Sequence, residues 1–199
     1  MKTDFNQQSL QSFQNWFSGS VTVDDCGRPL ILYHGTIHHF EPQDFRPMSH
    51  FGSARAATDI TWQFNGKLYK NRRDVELPRG HIMPVFVRIA KPLDMIDTGA
   101  HKPHNICIGL KKCADENGWT AGETDTLKTY GDIISFLKER GFDGIRYLNT
   151  AEDIDSYSYI IFDKEQVRPA MPLIGRGLEC SSYLAREVTR PHLAQPVLR

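Results

Sequence analysis

Apolar positions recur along this chain in two rhythms. Leu10, Phe13, Trp16 and Phe17 are spaced for one face of a short helix over 6–18, with an aromatic inner side. The run 29–33 is apolar and stops abruptly at His34-Gly35-Thr36, the pattern of a buried strand that delivers polar groups to its end. Ala56, Ala57, Ile60 and Phe64 fall on one side of a helix over 54–64. The segment 83–89 alternates and predicts a strand covered on one face. Ile133, Ile134, Phe136 and Leu137 predict a helix over 132–140, and Gly141 stands where a helix end favours a left-handed residue. Strands follow at 144–148 and 157–162, separated by the acidic loop 149–155. The polar stretch 65–80 reads as a surface loop, the weak periodicity over 98–124 predicts no element, and 181–190 before Pro191 suits a short helix.

Short strands interrupted by helices, with no regular βαβ rhythm and no Gly-rich strand-to-helix turn, predict an α+β fold with a split or two-sheet core. A chain of 199 residues, 40% apolar and 24% charged, suits one globular domain with an added tail. We expect the domain over 1–175, including the N-terminal helix, and a tail over 176–199. The 24 basic and 24 acidic residues balance, which argues against a dedicated duplex-binding protein and leaves local contact with RNA or DNA open. No apolar run approaches bilayer length, and the polar first 14 residues lack the apolar stretch of a signal peptide. The expectation is a cytoplasmic monomer with no membrane partner; delivery into a target cell would leave no mark in such a sequence. Cysteines 26, 107, 113 and 180 form no CxxC pair and read as reduced thiols rather than a zinc site.

Tyr33-His34-Gly35-Thr36 is the first candidate site. A glycine at a strand end lets a flat ligand approach the backbone, whose N–H and C=O can pair with a planar carboxamide. The neighbouring His34 can hydrogen-bond a ribose hydroxyl. Against this stands the plainer reading of a histidine satisfying a turn. His34, His38 and His39 also invite a metal, but no His-Glu-x-x-His arrangement accompanies them, and we assign no metal ligands. Asp143, in Phe142-Asp143-Gly144, suits turn chemistry. Trp62 suits either core packing or a cap on a pocket. The basic residues Lys67, Lys70, Arg72, Arg73 and Arg79 read as a solvated loop, with a phosphate contact as the alternative.

Four stretches in order carry a resemblance: Phe13-Gln14-Asn15-Trp16-Phe17 with 21–36; Ser49-His50-Phe51-Gly52-Ser53 with Ala56-Ala57; 84–97; and Gly141-Phe142-Asp143-Gly144-Ile145 through Gln166. Together they make the chain similar to the ADP-ribosyltransferases of polyvalent phage proteins and related bacterial effectors. These belong to the histidine-type branch that includes the poly-ADP-ribose polymerases and diphtheria toxin. The resemblance implies an ADP-ribosyltransferase-like split antiparallel sheet with an NAD cleft between its halves. It places His34 and Gly35 at the pair that holds the NAD ribose and nicotinamide amide, with Thr36 supporting that turn. His50-Phe51 falls where the polymerases have Tyr-Phe, so His50 would replace the stacking tyrosine with a smaller ring. Tyr159-Ile160-Ile161-Phe162-Asp163, followed by Gln166-Val167, matches the strand that a catalytic glutamate precedes in the polymerases, and Ser158 stands at that glutamate position. The polyvalent relatives tend to carry Ser there and a glutamate upstream in an Asn-x-x-Glu segment, which Asn149-Thr150-Ala151-Glu152 fits.

Cleaving the nicotinamide–ribose bond builds oxocarbenium-like charge, which a carboxylate stabilises, and the same carboxylate can orient or deprotonate the acceptor. Glu152 is the candidate acid, against the plainer reading of a solvated loop acid beside Asp153 and Asp155. Ser158 is then a hydroxyl contact, and His34 the third catalytic candidate. Tyr33, His34, Gly35, Thr36, His50, Phe51 and Tyr159 form the expected NAD-binding set. The implied function is mono-ADP-ribosyl transfer from NAD, as substrate, to a macromolecular acceptor. Neutral charge favours a protein acceptor over nucleic acid, and a toxin, effector or phage-encoded modifier is the expected setting. The alternatives are a non-catalytic NAD or ADP-ribose binding module, or an NAD glycohydrolase.

Overall fold

A computed structural model describes residues 2–38, 40–69, 80–99 and 102–170. His39, the basic stretch 70–79, Cys180, the tail 176–199 and the expected helix 181–190 lie outside the described residues.

Among the described residues seven strands form two sheets. The first has the order β1 (Leu32–Thr36), β3 (His81–Val87), β7 (Val167–Pro169), with both pairings antiparallel. The second has the order β2 (His50–Phe51), β6 (Tyr157–Ile161), β5 (Gly144–Leu148), β4 (Pro92–Met95). The expected mixed α+β, two-sheet character is present, but the expectation of a wholly antiparallel sheet is not met. β4 runs parallel to β5, in register from Pro92 with Gly144 to Met95 with Tyr147. A parallel neighbour needs a long crossover, and the helical residues 103–139 supply it.

β3 shows why the two sheets stack. Val85 and Val87 point into a core shared with Leu32, Phe51, Ile89, Tyr159 and Ile161, while Phe86 points the other way. The helix α1 (Lys2–Phe17) covers that outer face, with Phe13 4.9 Å from Phe86 and Phe17 stacked on Phe13. Leu10, expected on this inner face, is instead exposed. β6 is buried on both faces from Ser158 onward, because its other side meets a second core built by three helices.

Those helices account for much of the stretch where periodicity predicted nothing. α3 (Pro103–Lys112) begins on a proline, whose missing N–H costs nothing at a first helical position. Its inner stripe is Ile106, Cys107 and Leu110, continued by Cys113 and by Ala114 of α4 (Ala114–Asn117). Burial raises the pKa of both thiols in this stripe, so they act here as small apolar groups. α5 (Tyr130–Glu139) is opened by Thr129, whose hydroxyl accepts from Asp132 N–H while the Asp132 carboxylate accepts from Thr129 N–H, a reciprocal capping box. It ends at Gly141, with φ 81°. Among the described residues no helix is long and apolar enough to cross a membrane.

α2 (Ala54–Tyr69) continues past the expected end at 64, so the start of the expected 65–80 loop is helical. Trp62 is 67% exposed on it, which removes the core reading. The inner face carries Ala56, Ala57 and Thr61, small enough for the helix to lie directly on β1. The closest point is Gly35, where an added Cβ would collide with the Ala57 carbonyl oxygen. The bare Cα of Gly35 is therefore taken up by helix packing, not by leaving room for a ligand as the sequence suggested. Gly35→Ala should lower stability by about 1–3 kcal/mol or more, because backbone rather than a flexible side chain must yield. Urea unfolding measures this, and a variant as stable as the parent would contradict the α2–β1 packing.

Candidate active site

β1 is the edge of the first sheet and β2 the edge of the second. They meet at one place. Tyr33 N–H donates to Gly52 C=O at 2.8 Å, and Gly52 N–H donates to Tyr33 C=O at 3.1 Å. Since Tyr33 uses both backbone groups away from β3, the alternation of an antiparallel ladder turns the N–H and C=O of Gly35, two residues on, to the same outer edge. His34, Gly35 and Thr36 lie within the strand rather than after it, because pairing with β3 persists to Thr36 opposite His81. The Thr36 hydroxyl accepts from His38 N–H at 3.2 Å and holds the turn beyond the strand.

His34 has an aromatic surround, with Phe40, Phe45 and Phe51 rings 5.1, 5.3 and 5.5 Å away. Its Nδ1 lies 2.9 Å from the His50 carbonyl oxygen. A carbonyl only accepts, so Nδ1 carries the proton and Nε2 is left as an acceptor. Burial lowers the His34 pKa, the bond to the His50 carbonyl opposing it, and the ring is neutral at neutral pH.

From β2 a chain of side chains runs across the second sheet. His50 Nδ1 lies 3.2 Å from the Tyr147 hydroxyl, and Tyr147 stands opposite Ser158 in the β5–β6 register. Asn149 Nδ2 reaches Ser158 Oγ at 3.4 Å and Glu152 Oε2 at 3.0 Å. Burial holds the Tyr147 phenol far above its usual titration range, so it stays neutral. The Asn149 amide is the donor to Ser158 Oγ and to Glu152 Oε2. Gly52 closes over this chain, for a Cβ there would stand 2.8 Å from Ser158 Oγ. His34 and His50 are thus brought beside Ser158 and Glu152 by two groups of hydrogen bonds that meet where Tyr147 pairs with Ser158.

The segment carrying Glu152 is folded around Asn149, which is 2% exposed. Asn149 Oδ1 accepts from the N–H groups of Ala151, Glu152 and Asp153 at 3.0, 2.9 and 3.2 Å. Asp97 receives Thr150 N–H and Oγ1–H. The Ser53 hydroxyl, which accepts from Ala56 N–H at the start of α2, donates to Asp153 at 2.5 Å. Arg55 stands 4.0 Å from the same Asp153.

The remaining expected residues are placed otherwise. Phe51 and Tyr159 are 1% and 4% exposed and pack in the core between the sheets, so neither presents surface to a ligand here. The Asp143 carboxylate accepts from Ala90 and Lys91 N–H at 2.8 and 2.7 Å. Gln166 accepts from Phe162 and Asp163 N–H and donates to Arg88 and Asp143 carbonyls, so the Gln-Val signature fastens β6 to β3. Sequence reasoning missed Gly52, Tyr147 and Asn149 as site residues. Only Asn149 had a local signal, an Asn opening a polar loop whose next N–H groups its side chain can satisfy.

A family model described as ADP-ribosyltransferase in polyvalent proteins matches residues 24–175, and the chain belongs to this family. It is an NAD-dependent transferase, with NAD as the family's substrate. No curated protein and no solved structure matches the chain.

The buried neutral His34 makes stability depend on pH. Its folded pKa lies below the ordinary value of 6.5, so the unfolded chain binds more protons as the pH falls past that value. The contribution is whole above about pH 6.5 and is lost progressively below it. Between about pH 7 and pH 5 the parent should lose more stability than His34→Asn. Denaturant midpoints at the two pH values check this, and equal losses would show His34 to be freely protonated in the folded state.

Proposed function

We propose that this chain is a mono-ADP-ribosyltransferase of the histidine-type branch, with NAD held along the β1 edge between the two sheets. The observation that carries the reading is the pairing of Tyr147 with Ser158, which sets the hydrogen-bonded histidine pair beside the Asn149 bonds to Ser158 and Glu152 near the junction of β1 and β2. Gly35 offers an N–H and a C=O to the nicotinamide carboxamide, and His34 Nε2 accepts from a ribose hydroxyl. His50 supplies the ring that stacks on nicotinamide, and Tyr33 and Thr36 hold the strand on either side. Phe51 and Tyr159 serve as the floor behind these groups. Glu152 stabilises positive charge as the bond from ribose C1′ to nicotinamide breaks and nicotinamide leaves with the electron pair. The acceptor nucleophile then bonds C1′ and passes its proton to that carboxylate.

The balanced charge favours a protein acceptor, and the catalytic domain is assigned to 1–175 with the tail 176–199 appended. The kinship with proteins of mobile elements supports the role of a toxin, effector or host-modifying protein acting inside a target cell.

Labelled NAD incubated with a cell lysate should mark macromolecules, with protein marked above nucleic acid. Release of free ADP-ribose with no marked macromolecule would make the chain an NAD glycohydrolase instead. Glu152→Gln should keep NAD affinity and slow nicotinamide release about a hundredfold or more, since Gln fills the same space without the charge. His34→Ala should weaken NAD binding by about 1–3 kcal/mol. Titration calorimetry and nicotinamide release separate the two effects, and unchanged values for both variants would overturn the site.

A further inference from the structure

Asn149 performs two tasks with one buried amide. Its Oδ1 takes three consecutive backbone N–H groups, from Ala151 to Asp153, and so defines the turn that carries Glu152. Three donors on one oxygen also fix which end of the amide is which, so the NH₂ faces the other way. That NH₂ reaches Glu152 Oε2 at 3.0 Å and Ser158 Oγ at 3.4 Å. A donor without charge, 2% exposed and locked by its own acceptor, has no freedom to follow a moving carboxylate. It sets where the carboxylate rests.

We propose that Asn149 is the positioning residue of the reaction, holding the Glu152 carboxylate beside Ser158 through its Nδ2 hydrogens. This role rests on the reading of Glu152 as the catalytic acid. A loop staple alone would not have it, because the staple uses only Oδ1 whereas positioning uses only Nδ2.

The two ends of the amide make the roles separable. Asn149→Asp keeps an oxygen for the three N–H groups and replaces the donor with a second carboxylate oxygen facing Glu152. Two carboxylates so close hold one proton between them, and that proton restores the lost hydrogen bond. Once it leaves, both are charged and repel. The other ionisable groups facing this segment are Asp97 from the segment after β4, Arg55 from α2, Asp153 and Asp155 in the loop, and Tyr147 and His50 beside Ser158. All are common to parent and variant.

The experiment measures nicotinamide release from NAD across pH for the full-length parent, Asn149→Asp and Glu152→Gln. In the parent the rate should rise with ionisation of the acid and then stay level. In Asn149→Asp it should fall again as the second proton leaves, giving a bell, with a loss of about tenfold or more on the alkaline side and partial recovery on the acid side. A parent-like profile and rate for Asn149→Asp, with Glu152→Gln inactive, would overturn the positioning role while leaving the acid in place. A fully active Glu152→Gln would overturn the reading of the acid instead. Should Asn149→Asp fail to fold, Asn149→Asp combined with Glu152→Gln decides the matter. In that double variant the amide introduced at position 152 donates to the carboxylate introduced at position 149, and the repulsion is gone. Recovery of the melting transition supports the contact, and failure to recover it overturns the proposal.

Discussion

Two backbone hydrogen bonds between Tyr33 and Gly52 are the constraint on which the rest of the site depends. They join the edge of one sheet to the edge of the other, so the strand bearing His34 and Gly35 is set against the strand bearing His50. Because they use both polar groups of Tyr33 on the side away from β3, they also decide that Gly35 shows its own pair to the outside. The carbonyl of His50, two residues before Gly52, then reaches the His34 ring and fixes its tautomer. A contact of two bonds thereby sets the edge groups, the tautomer and the spacing of the two histidines.

The loop that carries Glu152 is held by a different device. Ile154, the large apolar side chain of the loop 149–155, is 70% exposed and anchors nothing. The loop takes its shape from polar bonds to the Asn149 side chain, to Asp97 and to Ser53 at the mouth of α2. The helix that packs on Gly35 therefore also holds the loop that carries Glu152, so one element references both sides of the site to each other.

The parts legible in the sequence were those whose periodicity survives burial. β5 and β6 are short apolar runs with turn residues at both ends, and in α5 the stripe and the cap agree, so all three were recognisable. α3 was hidden by its composition, since thiols and Gly109 stand where Leu or Ile would mark a helix; a Cβ on Gly109 would collide with Met95 Sδ. β2 is two residues long and exists only through its pairing with β6, and β4 opens on a proline and exposes Asp94, so neither carries a pattern of its own. In the site, His34, His50, Ser158 and Glu152 were legible through motif order. Gly52 and Tyr147 were not, because their importance lies in contacts with residues far along the chain, and Asn149 showed only the turn it opens and not its reach to Ser158. Gly35 was identified for its missing Cβ, yet it is α2 that occupies the space.

The fit of Gly52 against Ser158 bears on how such a site can change by descent. Ser158 is 3% exposed, walled by Gly52, Tyr147 and Asn149. A glutamate at 158 has no volume to enter while β2 crosses at this distance. A carboxylate in the strand there would demand a retreat of β2, a smaller residue at 147 and a new partner for Asn149 together. Each change alone loses contacts and gains nothing, so Ser158 and the three residues that wall it can be exchanged only together.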